Sequence, residues 1–114
     1  MPYLMIQTNQ TVDAATGKSL LARASSLVAT ELGKPESYVM LALEDETPML
    51  FAGDNAPLAY LELKSIGLPE SKTAPLSAAL CSLMEETLGI SKDRVYIEFA
   101  NAERSMWGWN GGTF

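Results

Sequence analysis

Apolar residues recur along the chain with two different periods, and these periods predict strands and helices in a fixed order. Short runs of β-branched, aromatic and other apolar residues are typical of strands. The predicted strands are residues 3–8, 38–43, 58–63 and 94–99, with a shorter one at 49–52. Between them, stretches that begin at Leu20 and at Leu76 carry apolar residues at offsets 0, 4, 7, 8 and 12, the spacing of one helix face.

The second half of the chain repeats the pattern of the first half at a constant separation of 56 residues. Gly33, which is expected to end the first helix, corresponds in this way to Gly89. A β-α-β crossover brings two parallel strands together with its helix on one face of the sheet. We therefore predict an α/β fold in which duplicated β-α-β units, residues 2–57 and 58–114, form a four-stranded mixed sheet with two helices on one face. The whole chain, residues 1–114, is predicted to be a single domain.

One face of this predicted sheet has nothing in the sequence to cover it. Residues 38–43 are apolar on both faces of their strand, which predicts a largely buried strand, yet two helices cover only one side of the sheet. An uncovered apolar face and exposed strand edges need a partner. Residues 106–114 hold both tryptophans and a phenylalanine in a glycine-rich stretch, and we expect them to pack in an oligomer.

Composition narrows the classes of protein that remain. The net charge of −6 argues against binding to nucleic acid or to an anionic membrane surface. The single cysteine, Cys81, excludes a disulfide within the chain, and no apolar run approaches the length of a membrane span. No basic and apolar leader opens the sequence, so we expect a soluble cytoplasmic protein, with export that needs no signal peptide as the alternative. We expect neither a metal nor another cofactor.

Pro2 is a candidate general base in a chain that contains no histidine. Initiator methionine is generally removed before a small residue, and removal of Met1 would turn the Pro2 nitrogen into a free secondary amine. A free α-amino group has a pKa of roughly 7.7–8.0, and burial among apolar groups lowers it. Such an amine can act as a base near neutral pH. The other interpretation is that Pro2 simply follows the start codon.

Several short pieces of sequence, each weak alone, occur in order over the whole chain. They are Pro2, Asn9, Gly33-Lys34-Pro35 with Tyr38, Ser65-Ile66-Gly67, Cys81, residues 90–97, Gly108-Trp109-Asn110 and Thr113-Phe114. In this combination the chain resembles macrophage migration inhibitory factor and its tautomerase relatives. The resemblance implies protomers that assemble as homotrimers, with three sheets lining a central barrel and active sites between adjacent protomers.

The resemblance also implies an activity, the keto–enol tautomerisation of phenylpyruvate-like and dopachrome-like substrates, so that the small-molecule partner is an aromatic 2-oxo acid. Pro2 is the implied general base. Lys34 and the backbone N–H of Ile66 are implied to hold the substrate carboxylate. The other implied pocket residues are Tyr38, Trp109 and Phe114, which wall the aromatic ring, and Tyr96, which comes from the neighbouring protomer.

Two departures from the family pattern change what the resemblance implies. Glu98 stands where the family often has an asparagine, two residues after the tyrosine. Facing a substrate, this acid would repel anions or, if protonated, accept a hydrogen bond from a phenol. Leu58 and Leu61 replace the Cys-x-x-Cys pair of the animal proteins, so thiol–disulfide chemistry is not implied.

Other functions and simpler roles for single residues stay open at this point. The chain could be a cytokine-like binding or signalling protein with a vestigial pocket, or it could use the same base to hydrate or dehalogenate an unsaturated acid. Lys34 could merely favour the C-terminus of the first helix. Tyr96 could lie in the core, and Trp109 and Phe114 could serve only in interface packing.

Overall fold

The computed structural model describes every residue from Met1 to Phe114 and contains the two helices and the four longer strands in the predicted order. The main strands are β1 (Tyr3–Thr8), β2 (Met40–Glu44), β3 (Ala59–Ile66) and β4 (Val95–Ala102), and the helices are α1 (Ala14–Leu32) and α2 (Thr73–Leu88). Two short strands near the C-terminus, β5 (Gly108–Trp109) and β6 (Gly112–Thr113), form a separate hairpin.

The four main strands form one sheet in the order β2-β1-β3-β4. Strands β1 and β2 are parallel, as are β3 and β4, whereas β1 and β3 are antiparallel where the two β-α-β units meet. The predicted fold class, a mixed sheet built from duplicated β-α-β units, is confirmed. Neither helix of the structure is long and apolar enough to cross a membrane.

Helix α1 begins at its predicted capping residue, and both helices end at their predicted glycines. The Asp13 side chain accepts a hydrogen bond from the backbone N–H of Thr16 at 2.8 Å and caps the start of α1. Gly33 and Gly89 follow the two helices with φ angles of 62° and 66°, in the left-handed region that glycine enters without steric cost. Gly33 and Gly89, which are equivalent positions in the two β-α-β units, therefore end their helices in the same way.

The hydrophobic core lies between the two helices and one face of the sheet. Alternate residues of β1 and β3 point toward the helices, and the apolar faces of the helices pack against them. The largest fully buried core side chains are Leu4, Ile6, Leu20, Leu61, Leu63, Leu76, Leu80, Met84, Ile90 and Val28. The opposite face of the sheet is left uncovered within the protomer, and Met40 and Tyr96 are 67% and 66% exposed there.

Three local predictions were wrong. Strand β2 was predicted to begin at residue 38, but it begins at Met40 because residues 36–38 form a single 3₁₀ turn. It was also predicted to be largely buried, but it is partly exposed because it lies at the edge of the sheet. No strand forms at 49–52: Ala52 and Gly53 both have positive φ and turn the chain, which leaves one isolated bridge. Strand β3 continues to Ile66, where a loop was expected, because its last residues still pair with β4.

Candidate active site

Pro2 lies at the head of β1 and its side chain is fully buried. The carbonyl of Pro2 accepts a hydrogen bond from the Met40 N–H at 2.9 Å, which joins the start of β1 to the start of β2. Met1 precedes it, and the Met1 amino group donates to the carbonyl of Tyr38 at 3.0 Å. The first residues of the chain are therefore fixed against the segment that connects α1 to β2.

The surroundings of the N-terminal amine favour its neutral form. Partial burial lowers the pKa of the Met1 amino group, and the positive charge of Lys34 lowers it further. Both causes disfavour a second positive charge at this place in the protein. An amine held at this end of β1 is thus available as a base at a lower pH than an ordinary α-amino group.

Lys34 reaches from the end of α1 to the end of β3. Gly33 ends the helix and places Lys34 on the following turn, where its Nζ donates to the carbonyl of Ile66 at 3.2 Å. An ammonium group has three donors, so this bond leaves donors available to a ligand. Lys34 and Ile66, which the family resemblance implied as a pair, lie together in the structure at the Pro2 end of the sheet.

Three aromatic rings form a cluster beside Pro2. Tyr38 meets Trp109 and Phe114 edge to face, each with ring centroids 5.8 Å apart, and Trp109 and Phe114 are stacked at 5.3 Å. Strands β5 and β6 bring the tail into place through a turn in which Asn110 and Gly111 both have positive φ. Asn-Gly favours this kind of hairpin turn, so this signal in the sequence was available and was missed.

A cavity of about 220 Å³ opens between these groups, and Met1, Pro2, Tyr38, Trp109 and Phe114 are among its lining residues. Eight of the eleven lining residues are hydrophobic. An apolar cavity with a few polar groups at its margin is typical of small-molecule sites. Because Met1 itself lines the cavity, its removal would both free the Pro2 nitrogen and enlarge the space.

Two predicted site residues lie elsewhere in the protomer. Tyr96 and Glu98 are on β4, which β3 separates from β1, and neither lines the cavity beside Pro2. Tyr96 packs on Phe51 with ring centroids 4.7 Å apart, and its exposed surface argues against a role in the core. A complete site with these residues would need a β4 strand from another protomer.

Sequence reasoning missed one polar cluster on the uncovered sheet face. The Tyr60 hydroxyl lies 2.8 Å from a carboxylate oxygen of Glu98 and 3.0 Å from one of Glu62. Glu62 and Glu98 are paired in register across β3 and β4, so their side chains emerge side by side. The alternation of Tyr60, Leu61 and Glu62 signals that the tyrosine and the acid share a face, but the pairing with Glu98 needs the strand register.

Arg94 was also missed as an organising residue. Its guanidinium donates to the carbonyls of Pro57, Ala56 and Asp54 at 3.0, 3.1 and 3.3 Å, and it lies 5.2 Å from the centre of the Phe51 ring. Only 16% of its side chain is exposed. Arg94 therefore holds the loop that presents Phe51 to Tyr96.

The sheet topology, the duplicated β-α-β units and the cavity at the head of β1 define a protein with the tautomerase-superfamily fold. A family model described as macrophage migration inhibitory factor matches residues 1–114. The chain belongs to the macrophage migration inhibitory factor family, as the sequence motifs indicated.

Relatives and solved structures support the same assignment. The chain is 41% identical to the macrophage migration inhibitory factor homolog of Brugia malayi and 34% identical to macrophage migration inhibitory factor of Mus musculus, with 100% of this chain and 99% of each relative covered. Its structure resembles the homologue from Prochlorococcus marinus, with a TM-score of 0.93 and 44% identity, where 98% of each chain is covered. The macrophage migration inhibitory factor of Toxoplasma gondii also has a TM-score of 0.93, at 36% identity, with 98% of this chain and 99% of that chain covered.

Proposed function

We propose that the protein is a tautomerase that interconverts the keto and enol forms of phenylpyruvate-like 2-oxo acids, and of dopachrome-like substrates, with Pro2 as general base after removal of Met1. The observation that carries the proposal is the setting of the N-terminal amine. It combines burial, the nearby charge of Lys34 and an aromatic cavity at one end of the sheet. Each of these is a property that a neutral catalytic amine requires.

The reaction is a proton transfer in which the Pro2 nitrogen acts at carbon. The lone pair of the neutral amine takes a proton from the carbon next to the substrate carbonyl, and the electrons of that C–H bond form the C=C bond of the enol. The carbonyl oxygen takes a proton from water, and Pro2 then returns its proton to water. An amide nitrogen has no usable lone pair, so the chemistry depends on a free N-terminus.

The aromatic residues that line the cavity, together with Lys34 and Ile66, which are not among its lining residues, suggest how the substrate is oriented. Lys34 binds the substrate carboxylate with the donors left over from its bond to Ile66, and the N–H of Ile66 adds a second contact. Tyr38, Trp109 and Phe114 enclose the aromatic ring of the substrate. Excluding water from this space strengthens the attraction between Lys34 and the carboxylate.

The working form in this proposal is a homotrimer in which a neighbouring protomer supplies Tyr96 and Glu98. Both residues lie on an exposed sheet face, far across the sheet from the cavity of their own protomer. Leu50, which is 71% exposed, adds to the apolar surface that such an assembly would cover. Sedimentation equilibrium at micromolar concentration should report three chains, and a stable monomer would contradict the shared site.

Three measurements test the proposed activity together. Intact mass should show that Met1 is absent, and the purified protein should enolise phenylpyruvate. A variant with one alanine inserted between Met1 and Pro2 should keep the trimer and lose the activity, because the Pro2 nitrogen is then an amide. Pro2→Gly is the matched control, since it keeps a primary amine at the same place and should retain a residual rate. Wild-type activity in the alanine-inserted trimer would overturn the role of Pro2.

A cytokine-like binding or signalling protein with a vestigial pocket is the alternative function. It is favoured by the names of the relatives, which refer to the inhibition of macrophage migration. The same assay separates the two functions. A trimer that lacks Met1 but does not enolise phenylpyruvate would support the binding protein, or a different reaction of Pro2 on an unsaturated acid.

A further inference from the structure

We propose that Arg94 and Phe51 are positioning residues of the shared site. Arg94 fixes the loop that carries Phe51, and the Phe51 ring fixes the direction in which the Tyr96 side chain leaves the sheet. This inference rests on the proposed function, because it takes Tyr96 to enter the cavity of a neighbouring protomer. It goes beyond that function by naming two residues that act on the substrate only through Tyr96.

Tyr96 receives little support from its own strand. It lies on β4, the last strand of the sheet, so a paired strand flanks it on one side only. The residue is 66% exposed, and its ring packs on Phe51 with centroids 4.7 Å apart and planes tilted by 55°. Aromatic rings at this separation attract each other beyond the effect of the area that they bury. The direction of the Tyr96 ring therefore depends on the position of Phe51.

Phe51 lies at the base of a tight turn that contains a strained residue. The backbones of Phe51 and Asp54 are joined by two hydrogen bonds of 3.0 and 3.1 Å, which close the turn over Ala52 and Gly53. Ala52 has a φ of 54°, in the left-handed region that residues with a Cβ rarely adopt. Such a conformation persists only where surrounding contacts hold it. The turn that positions Phe51 therefore needs contacts from outside itself.

Arg94 supplies these contacts. Its guanidinium donates to the Phe51 carbonyl at 3.4 Å, in addition to the carbonyls of Asp54, Ala56 and Pro57, and it pairs with the Asp54 carboxylate at 2.9 Å. A guanidinium has five N–H donors in a planar fork, whereas a lysine ammonium has three donors on one atom. Arginine is therefore the side chain that can bind both ends of the loop while it lies against the Phe51 ring.

Loss of these contacts would affect Tyr96 because there is space beside it. A second cavity, of about 270 Å³ and lined only by hydrophobic residues, lies next to Phe51 and Tyr96. If Phe51 moved, the Tyr96 ring would be free to turn into this space and would withdraw its hydroxyl from the neighbouring protomer. A displacement of about 1 Å in a group that positions the substrate can cost about 100-fold in rate.

The test is a double-mutant cycle on kcat/KM for phenylpyruvate, measured in the full-length trimer that lacks Met1. Phe51→Leu should lower kcat/KM about three- to tenfold, as expected for the loss of one aromatic pair. Phe51→Tyr, which retains a ring, should keep most of the wild-type value. In a Tyr96→Ala background, adding Phe51→Leu should change kcat/KM less than about twofold, because Phe51 acts only through Tyr96.

The role of Arg94 is tested by Arg94→Lys, which keeps the charge but loses the fork of donors. It should reproduce the loss seen in Phe51→Leu, and the two changes together should cost no more than either one alone. Arg23→Lys is the matched control, since Arg23 forms an exposed ion pair with Glu86 on the helices, and it should leave kcat/KM unchanged. If Arg94→Lys fails to assemble, the cycle between Phe51 and Tyr96 still decides the inference.

A second readout does not depend on activity. In protein with selectively labelled Phe and Tyr, the nuclear Overhauser effect between the Phe51 and Tyr96 rings should be present in wild type and in Arg23→Lys but weakened in Arg94→Lys. Additive losses from Phe51→Leu and Tyr96→Ala, or a wild-type rate in an Arg94→Lys trimer that has lost the ring contact, would overturn the inference. A wild-type trimer that does not enolise phenylpyruvate would instead overturn the proposed function, while the NMR experiment would still decide whether Arg94 holds Phe51 on Tyr96.

Discussion

Replacing Lys34 with alanine is the most direct test of whether Lys34 binds the carboxylate of the substrate. Lys34 extends from the turn after α1 and is anchored on the carbonyl of Ile66 at 3.2 Å, so its position does not depend on the substrate. A preorganised ammonium loses little freedom when it binds a carboxylate. We therefore expect the contact to contribute about 1.5–3 kcal/mol to binding, the range for a charge-assisted hydrogen bond.

This energy corresponds to a loss of about ten- to 150-fold in kcat/KM for phenylpyruvate in Lys34→Ala, because about 1.4 kcal/mol is a factor of ten. The methyl ester of the substrate lacks the negative charge and should lose much less. Lys18→Ala is the matched control, since Lys18 is exposed near the start of α1, at the opposite end of that helix from Lys34. Equal losses for the acid and the ester would refute the assignment of Lys34 to the carboxylate.

The same variant should also move the pH profile of the reaction. Burial and, to a smaller extent, the charge of Lys34 lower the pKa of the Met1 amino group, and we expect the same two causes to act on the Pro2 amine once Met1 is removed. The amine is a base only when deprotonated, so the rate should rise with pH through its lowered pKa. Lys34→Ala should shift that rise to higher pH, toward but not up to the value for an ordinary α-amino group. A profile measured with the uncharged ester separates this shift from the loss of carboxylate binding.

Other expected outcomes follow from the tail, from Glu98 and from the cap of α1. Truncation before Trp107 should impair assembly and activity together, since the tail supplies an aromatic wall as well as apolar packing; a fully active trimer would contradict this. Glu98→Asn should change the ranking of phenolic and non-phenolic substrates more than it changes thermal stability, and an unchanged ranking would place Glu98 outside the site. Hydrogen bonds from Thr16 lower the pKa of Asp13, so the stability they contribute should be present above about pH 4 and lost as pH falls further. Asp13→Ala should remove that part of the pH dependence in urea unfolding.

The fold could be predicted from sequence because its determinants are local. The apolar spacing from Leu20 and Leu76 marks one buried face on each helix, and Gly33 and Gly89 mark where each helix ends. Two of the errors came from local turns, at residues 36–38 and 52–53, and the third came from a contact between distant segments. Ile66 belongs to β3 because it pairs with Ala102 of β4, a partner 36 residues away that no local pattern reveals.

The residues of the candidate site were predicted from a different kind of signal than the fold. Nothing in the periodicity brings Lys34 to Ile66, and this pair came from the family resemblance alone. The contacts of Tyr60 with Glu62 and Glu98 could not be found by resemblance or by pattern, because they depend on the register that sets Glu62 opposite Glu98. A cluster formed across two strands becomes visible only when the strand pairing is known.

The cavity beside Pro2 is built from both extremities of the polypeptide, and this has a practical consequence for anyone who purifies or labels the protein. An affinity tag fused ahead of Pro2 would convert its nitrogen to an amide for as long as the tag remained. A tag fused after Phe114 would be attached directly to the residue whose ring stacks on Trp109, and it could disturb that packing. A fluorophore or a surface tether is better attached to the solvent-facing side of α1, where Ser26 is exposed and lines no part of this cavity. Loss of activity in a preparation tagged at either end would therefore say little about the native protein.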